Sequence, residues 1–249
     1  MGRKIKRRLP KPYYQTKLGK LYYGDCFDII PHLPKVDMVL TDPPYNVNYE
    51  GGQFHSGKVF IRRKRKKIIN DNLDIYQKLI PSILSSTNGP CYCFYSDSRS
   101  FYVYNALHKA NADIHAMLIW NKTNATYAAM NAQYKKKFEP IVYFKRKGGN
   151  TAWCGKSTEK TILNFPKSKS GNIYHPTQKP VNLLSYLISN HTSKSILDPC
   201  LGSGSTAIAC EYLDRNWIGI EKEEKYCKIA AKRIQAVIDT GFIFNKGVK

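Results

Sequence analysis

Short apolar runs alternate with stretches of helical spacing along this chain. Leu21-Tyr22-Tyr23-Gly24 and Val36-Asp37-Met38-Val39-Leu40 read as strands, with a short helix over Cys26–Leu33 between them. Leu73, Tyr76, Leu79, Ile80, Ile83 and Leu84 recur at helical spacing, and Asn88-Gly89-Pro90 stops that helix. Strands follow at Cys91–Tyr95, His115–Trp120 and Ile141–Phe144, with a helix from Phe101 to Ala110. Pro180 stands at a helix start, ahead of Val181, Leu184, Leu187 and Ile188. Ile196-Leu197 begins a strand ending at Asp198, Ile208–Leu213 is helical, and Trp217–Ile220 is a strand ending at Glu221. A last helix carries Tyr226, Ile229, Ala230, Arg233, Ile234 and Val237. This alternation predicts a single α/β fold: a doubly wound, mostly parallel, seven-stranded sheet with helices on both faces.

Two stretches break the pattern. Residues 46–70 hold Gly51-Gly52, Gly57 and a dense basic run, and residues 146–173 are rich in Gly, Ser, Lys and Asn. Loops of such length in a compact domain usually carry function. The first is expected to face a polyanion, the second to contribute to target recognition. Residues 1–20 read as a basic N-terminal arm and 21–249 as the folded domain.

Charge turns this outline toward a partner. Forty Lys and Arg stand against 18 Asp and Glu, a formal net charge of +22 in 249 residues. Arg3 to Lys20 contains eight basic residues and no acid, and Lys58 to Lys67 contains seven. Arg62, Arg63, Lys64, Arg65, Lys66 and Lys67 are consecutive, and Lys135-Lys136-Lys137 and Lys145-Arg146-Lys147 add to them. Basic blocks with so little interleaved acid exceed what solubility needs and suit a phosphate backbone. No apolar run approaches the roughly 20 residues that span a bilayer. The basic start Met1–Arg8 has no apolar core behind it, so a secretory signal is not expected and a cytoplasmic location is the default. The seven cysteines form no C-x-x-C pair and no zinc spacing, so no metal site is expected. Cys91 and Cys93 should share one strand face as reduced core thiols.

Candidate chemistry lies at two strand ends. Thr41-Asp42-Pro43-Pro44-Tyr45-Asn46 follows the strand at 36–40, where open α/β sheets bind ligands. The prolines fix φ and stiffen the turn. Asp42 and the Pro43 carbonyl can together accept two hydrogen bonds from one NH₂ group, and Tyr45 offers a flat face for a planar ring. The same residues also describe a plain Pro-Pro turn with a solvent-facing Asp. The second end is Asp198-Pro199-Cys200-Leu201-Gly202-Ser203-Gly204-Ser205-Thr206, a strand, a glycine-bearing turn and a helix start. Glycines let a ligand approach the backbone, but no Lys follows them, which argues against an NTPase. Glu221 ends the next strand and can accept from both hydroxyls of a ribose, as in dinucleotide folds.

Together these stretches resemble the S-adenosylmethionine-dependent DNA amino-methyltransferase family. The order, Asp42-Pro43-Pro44-Tyr45 before the Gly202/Gly204 turn, matches that family's beta class. His175-Pro176-Thr177-Gln178-Lys179-Pro180 is similar to its segment upstream of the cofactor turn. Tyr23-Gly24-Asp25, Ile69-Asn70-Asp71-Asn72, Trp120-Asn121-Lys122 and Glu139-Pro140 are similar to its lesser motifs, so the likeness runs from about Leu21 to Ile234. Cys200 stands where Phe is usual and Ser205 where Thr is usual.

The resemblance implies an enzyme that methylates adenine N6 in double-stranded DNA by in-line displacement on a flipped-out base. Asp42, Pro43, Pro44 and Tyr45 would be catalytic. S-adenosyl-L-methionine would be held by Asp25, Cys26, Asp42, His175, Thr177, Lys179, Asp198, Cys200, Gly202, Ser203, Gly204, Ser205, Glu221 and Lys222. Asp25 would take the adenine amino group, Glu221 the ribose, and His175, Thr177 and Lys179 the methionine carboxylate. Arg62 to Lys67, Lys122 and Lys135 to Lys137 would hold DNA. Cytosine-N4 or RNA methylation, and a non-catalytic nucleic-acid-binding protein, are the rival readings. A homodimer sharing recognition and a cognate restriction endonuclease are the protein partners this reading brings in.

Overall fold

Successive residues of a strand point to opposite faces of a sheet, and here both faces are covered. In the computed structural model, which describes residues 9–44, 75–124, 137–168 and 178–241, β3 (Met38–Thr41) shows this most simply. Met38 and Leu40 pack into one core cluster and Val39 into the other. The first cluster lies under α4 (Val181–Ser189), α5 (Ser205–Tyr212) and α6 (Glu224–Asp239). The second lies under α1 (Cys26–Ile29), α2 (Ile75–Ser86) and α3 (Ser100–Lys109). Cys91 and Cys93 share the second cluster while Tyr92 and Phe94 enter the first, the alternation expected of β4 (Pro90–Phe94).

The seven expected strands are all present. The others are β2 (Gly19–Tyr23), β5 (Ala112–Lys122), β6 (Phe138–Arg146), β8 (Ser195–Asp198) and β9 (Asn216–Glu221). Two short strands extend the sheet to nine: β1 (Tyr14–Gln15) and β7 (Ile162–Phe165). The first lies inside the stretch expected to be a basic arm and pairs antiparallel with β2. The second lies inside 146–173 and pairs parallel with β5, burying only Leu163 of its four residues. Neither offers enough alternating positions to be told from loop by periodicity.

The strand order is β1-β2-β9-β8-β3-β4-β6-β5-β7. From β2 to β4 every neighbour is parallel, so five strands present their C-terminal ends along one edge. Chain connections leave β3 toward β4 and leave β8 toward β9, in opposite directions. The crevice between β3 and β8 is therefore a topological switch point, where such sheets bind ligands.

Candidate active site

Asp42, Pro43 and Pro44 follow β3 directly, and Asp198 ends β8 beside it. Asp198 is buried and serves its own turn: Thr206 Oγ1 donates to Oδ2 at 2.6 Å and the Cys200 N–H to Oδ1 at 3.0 Å. Burial pushes its pKa up to about 7, and the neighbouring charge of Asp42 adds to the rise against those hydrogen bonds.

The turn from Asp198 into α5 depends on two left-handed glycines, Gly202 at φ +56° and Gly204 at φ +88°. The Gly202 N–H donates to Glu221 Oε2 at 2.8 Å, and the Glu223 N–H to the other oxygen at 2.7 Å. The end of β9 thus fixes the turn after β8. Arg233 of α6 clamps the turn from behind, donating to the Ser203 carbonyl and, at 2.9 Å, to its hydroxyl. A side chain at Gly202 would meet nothing nearer than the Cys200 carbonyl at 4.0 Å, so open space adjoins that position.

The end of β2 joins this edge through the Gly24 N–H, which donates to the Glu221 carbonyl at 3.0 Å. Asp25 then caps α1 by accepting the Phe27 N–H at 3.0 Å, and its second oxygen takes Lys222 Nζ at 2.7 Å. Burial works against its ionisation, but Lys222 and the Phe27 N–H outweigh it and hold the carboxyl below its usual range.

On the other side of the crevice four ionic groups alternate in sign. Lys179 Nζ lies 2.5 Å from Asp42 Oδ2 and 3.1 Å from Glu139 Oε2. Lys122 Nζ bonds the remaining oxygen of Glu139. Both ammonium groups sit over rings, Lys179 5.2 Å from the Phe94 centroid and Lys122 4.9 Å from that of Trp120. Burial favours the neutral form of Lys179, yet the two carboxylates overcome it and raise its pKa. For Lys122 burial wins over Glu139 and lowers the pKa.

A family model described as DNA methylase matches residues 36–232, spanning Asp42, the ionic cluster, the glycine turn and Glu221. The chain belongs to the N6/N4 DNA methylase family. It is 30% identical to the Type II methyltransferase M2.MboI of Moraxella bovis, over 91% of this chain and 92% of that protein. The crystal structure of an M1.HpyAVI–SAM complex is 27% identical, with a TM-score of 0.66, covering 87% of this chain and all of that one. The cytosine-N4-specific PvuII DNA methyltransferase shares the fold, with a TM-score of 0.70 at 16% identity over 92% of this chain and 94% of that one. This DNA methylase therefore transfers a methyl group from S-adenosylmethionine to an exocyclic amino group of DNA. The open space beside Gly202 and the carboxylates of Glu221 and Asp25 at neighbouring strand ends fit a nucleoside-bearing donor.

Most of the cofactor-site residues expected from sequence come to this one edge of the methylase. Asp25, Cys26, Asp42, Asp198, Cys200, Gly202, Ser203, Gly204, Ser205, Glu221 and Lys222 all follow or end parallel strands. Tyr45, His175, Thr177, the run Arg62–Lys67, Lys135 and Lys136 lie outside the described residues. Lys137 is exposed, and its carbonyl accepts the Lys122 N–H at 2.7 Å. Lys122, expected among the DNA contacts, is buried with its ammonium on Glu139, because the end of β5 turns it inward. Lys179, expected on the cofactor carboxylate, instead binds two carboxylates of the chain itself. Arg233 carries no sequence signal beyond its place in a helix. Glu139 carries one, the Glu139-Pro140 pair that is similar to a lesser motif of the family, but that motif does not name its partners. Among the described residues no group of three or more His, Cys, Asp or Glu could hold a metal, and no helix is long and apolar enough to cross a membrane.

Proposed function

We propose that this methylase acts on adenine N6 in double-stranded DNA, on a base turned out of the helix into the crevice between β3 and β8. The observation that carries the reading is Asp42 itself, a carboxylate held against a buried lysine at the switch point and followed by Pro43, Pro44 and Tyr45. The Asp-Pro-Pro-Tyr form resembles adenine-directed members of the family. Asp42 accepts one N–H of the amino group and the Pro43 carbonyl accepts the other. Both bonds draw the nitrogen lone pair out of the ring's conjugation. Tyr45 stacks on the base. S-adenosylmethionine, when bound, supplies an electrophilic methyl on its sulfonium. Glu221 holds its ribose, Asp25 its adenine amino group, and Gly202 and Gly204 leave room for its methionine part. Positioning is the protein's main contribution.

Basic runs at 58–67 and 135–137 grip phosphates, and the enzyme works inside the cell beside a cognate endonuclease, as the Type II names of its relatives suggest. The test is methylation of random-sequence DNA with labelled donor, followed by nucleoside analysis and mapping. N6-methyladenine at a defined site is expected. N4-methylcytosine as the sole product would reject the adenine assignment.

A further inference from the structure

We propose that Lys179 is a positioning residue for Asp42, held in place through Glu139 and Lys122, and not a ligand for the cofactor carboxylate. The inference rests on Asp42 receiving the target amino group. Four elements contribute to it: the tip of β3, the start of β6, the end of β5 and the residue before Pro180 at the start of α4. Cation and anion alternate from Lys122 to Asp42, so the buried charge sums to zero.

Geometry separates the two roles for Lys179. Its side chain is only 5% exposed, and its ammonium already contacts two carboxylates, at 2.5 and 3.1 Å. A donor carboxylate would be the third anion around one buried cation, and like charges at that range repel strongly. The Phe94 ring beneath Nζ further limits where the ammonium can move. Asp42, by contrast, gains from the contact. A carboxylate that must accept an N–H from an uncharged amino group has to stay ionised and hold one rotamer. Lys179 occupies Oδ2, which orients the carboxylate for the substrate. Glu139 shares the ammonium, so that Lys179 does not collapse onto Asp42 alone. Lys122, seated over Trp120, anchors Glu139 on its other oxygen.

The experiment compares the wild type with Lys179→Met, Lys179→Arg, Glu139→Gln, Glu139→Asp and Asp42→Asn. Donor affinity is measured by calorimetry with S-adenosylmethionine, and methyl transfer by single turnover on saturating DNA across pH. For Lys179→Met the dissociation constant should stay within roughly threefold of wild type while the transfer rate falls about 100-fold. Without the neighbouring cation the Asp42 carboxyl becomes easier to protonate, and the charge of Asp198 beside it pushes the same way, so the acid limb of the rate profile should move to higher pH. Lys179→Arg keeps the charge and should leave that limb in place, with part of the rate restored. A donor affinity weakened tenfold or more, with the rate at saturation unchanged, would overturn the proposal. If Lys179→Met shows no cooperative melt, Glu139→Gln decides: a reduced rate at unchanged affinity, partly rescued by Glu139→Asp, supports the network, and an unchanged rate rejects it. Full activity in Asp42→Asn would reject the role of Asp42 itself. An inactive Asp42→Asn beside a fully active Lys179→Met would reject only the role of Lys179.

Discussion

The main-chain N–H of Gly202 donates to the carboxylate of Glu221 at 2.8 Å, so the acid at the end of β9 builds the turn after β8. Glu221 is therefore both part of the cradle and a candidate for its ribose contact. Glu221→Ala should orphan the N–H groups of Gly202 and Glu223 and cost about 1–3 kcal/mol of stability. It should also weaken S-adenosylmethionine binding at least about tenfold, the equivalent of one good hydrogen bond. Denaturant melts and calorimetry read the two effects separately. A stable variant with reduced affinity would confine Glu221 to the ligand; the reverse would confine it to the turn.

The two glycines of that turn should fail differently. An alanine at Gly204 would put its Cβ 3.1 Å from that of Ala230, at φ +88°. Gly204→Ala should cost about 1–3 kcal/mol through strain and crowding against α6. Gly202→Ala meets open space at φ +56°, so its stability cost should be smaller and its effect on donor affinity larger. Thermal melts with and without S-adenosylmethionine distinguish them. Equal destabilisation at both positions would contradict the difference in packing.

What the sequence made legible follows from what periodicity and spacing record. The strand ends carrying Asp42, Asp198 and Glu221 were readable because short apolar runs stop at each of them. Their adjacency came from the family's motif order and not from periodicity, since β8 and β9 insert between β2 and β3 although they come last in the chain. The ionic cluster was harder still. Lys122 read as a DNA contact, Lys179 as a cofactor ligand and Glu139 as part of a lesser motif, because a charge pattern says nothing of burial. Only the antiparallel pairing of β5 with β6, which sets Trp120 opposite Glu139, brings the Lys122 and Glu139 side chains together. Arg233 behaves likewise: a polar position on a helix became a clamp once α6 packed behind the glycine turn.

Asp198 should give the protein a measurable pH dependence. Its carboxyl titrates near 3.8 when unfolded and at about 7 in the fold, raised by burial. The folded state then holds the extra proton between these values, so stability falls as pH rises from about 4 to about 7. The decrease from this group is at most about 4 kcal/mol. Asp198→Asn cannot ionise and should lose less stability than wild type between pH 5 and pH 8. Comparing urea melts of the two proteins cancels the contributions of all other groups. Parallel pH dependences would show that Asp198 is ionised throughout.

The basic run and Lys122 should separate phosphate binding from catalysis. Each phosphate that the protein no longer neutralises lowers the slope of log K against log salt by about 0.9 for duplex DNA. Replacing Arg62, Arg63, Lys64, Arg65, Lys66 and Lys67 with glutamine should therefore flatten the slope by up to about 5. Binding would weaken most at low salt, and evenly across sequences, because phosphate contacts carry no base information. Lys122→Gln should leave the slope unchanged, since that ammonium is committed to Glu139 inside the protein. Fluorescence anisotropy at several salt concentrations measures both. A slope that falls by about one in Lys122→Gln would place this lysine on the DNA after all, and would require the Lys122–Glu139 pair to open when DNA binds.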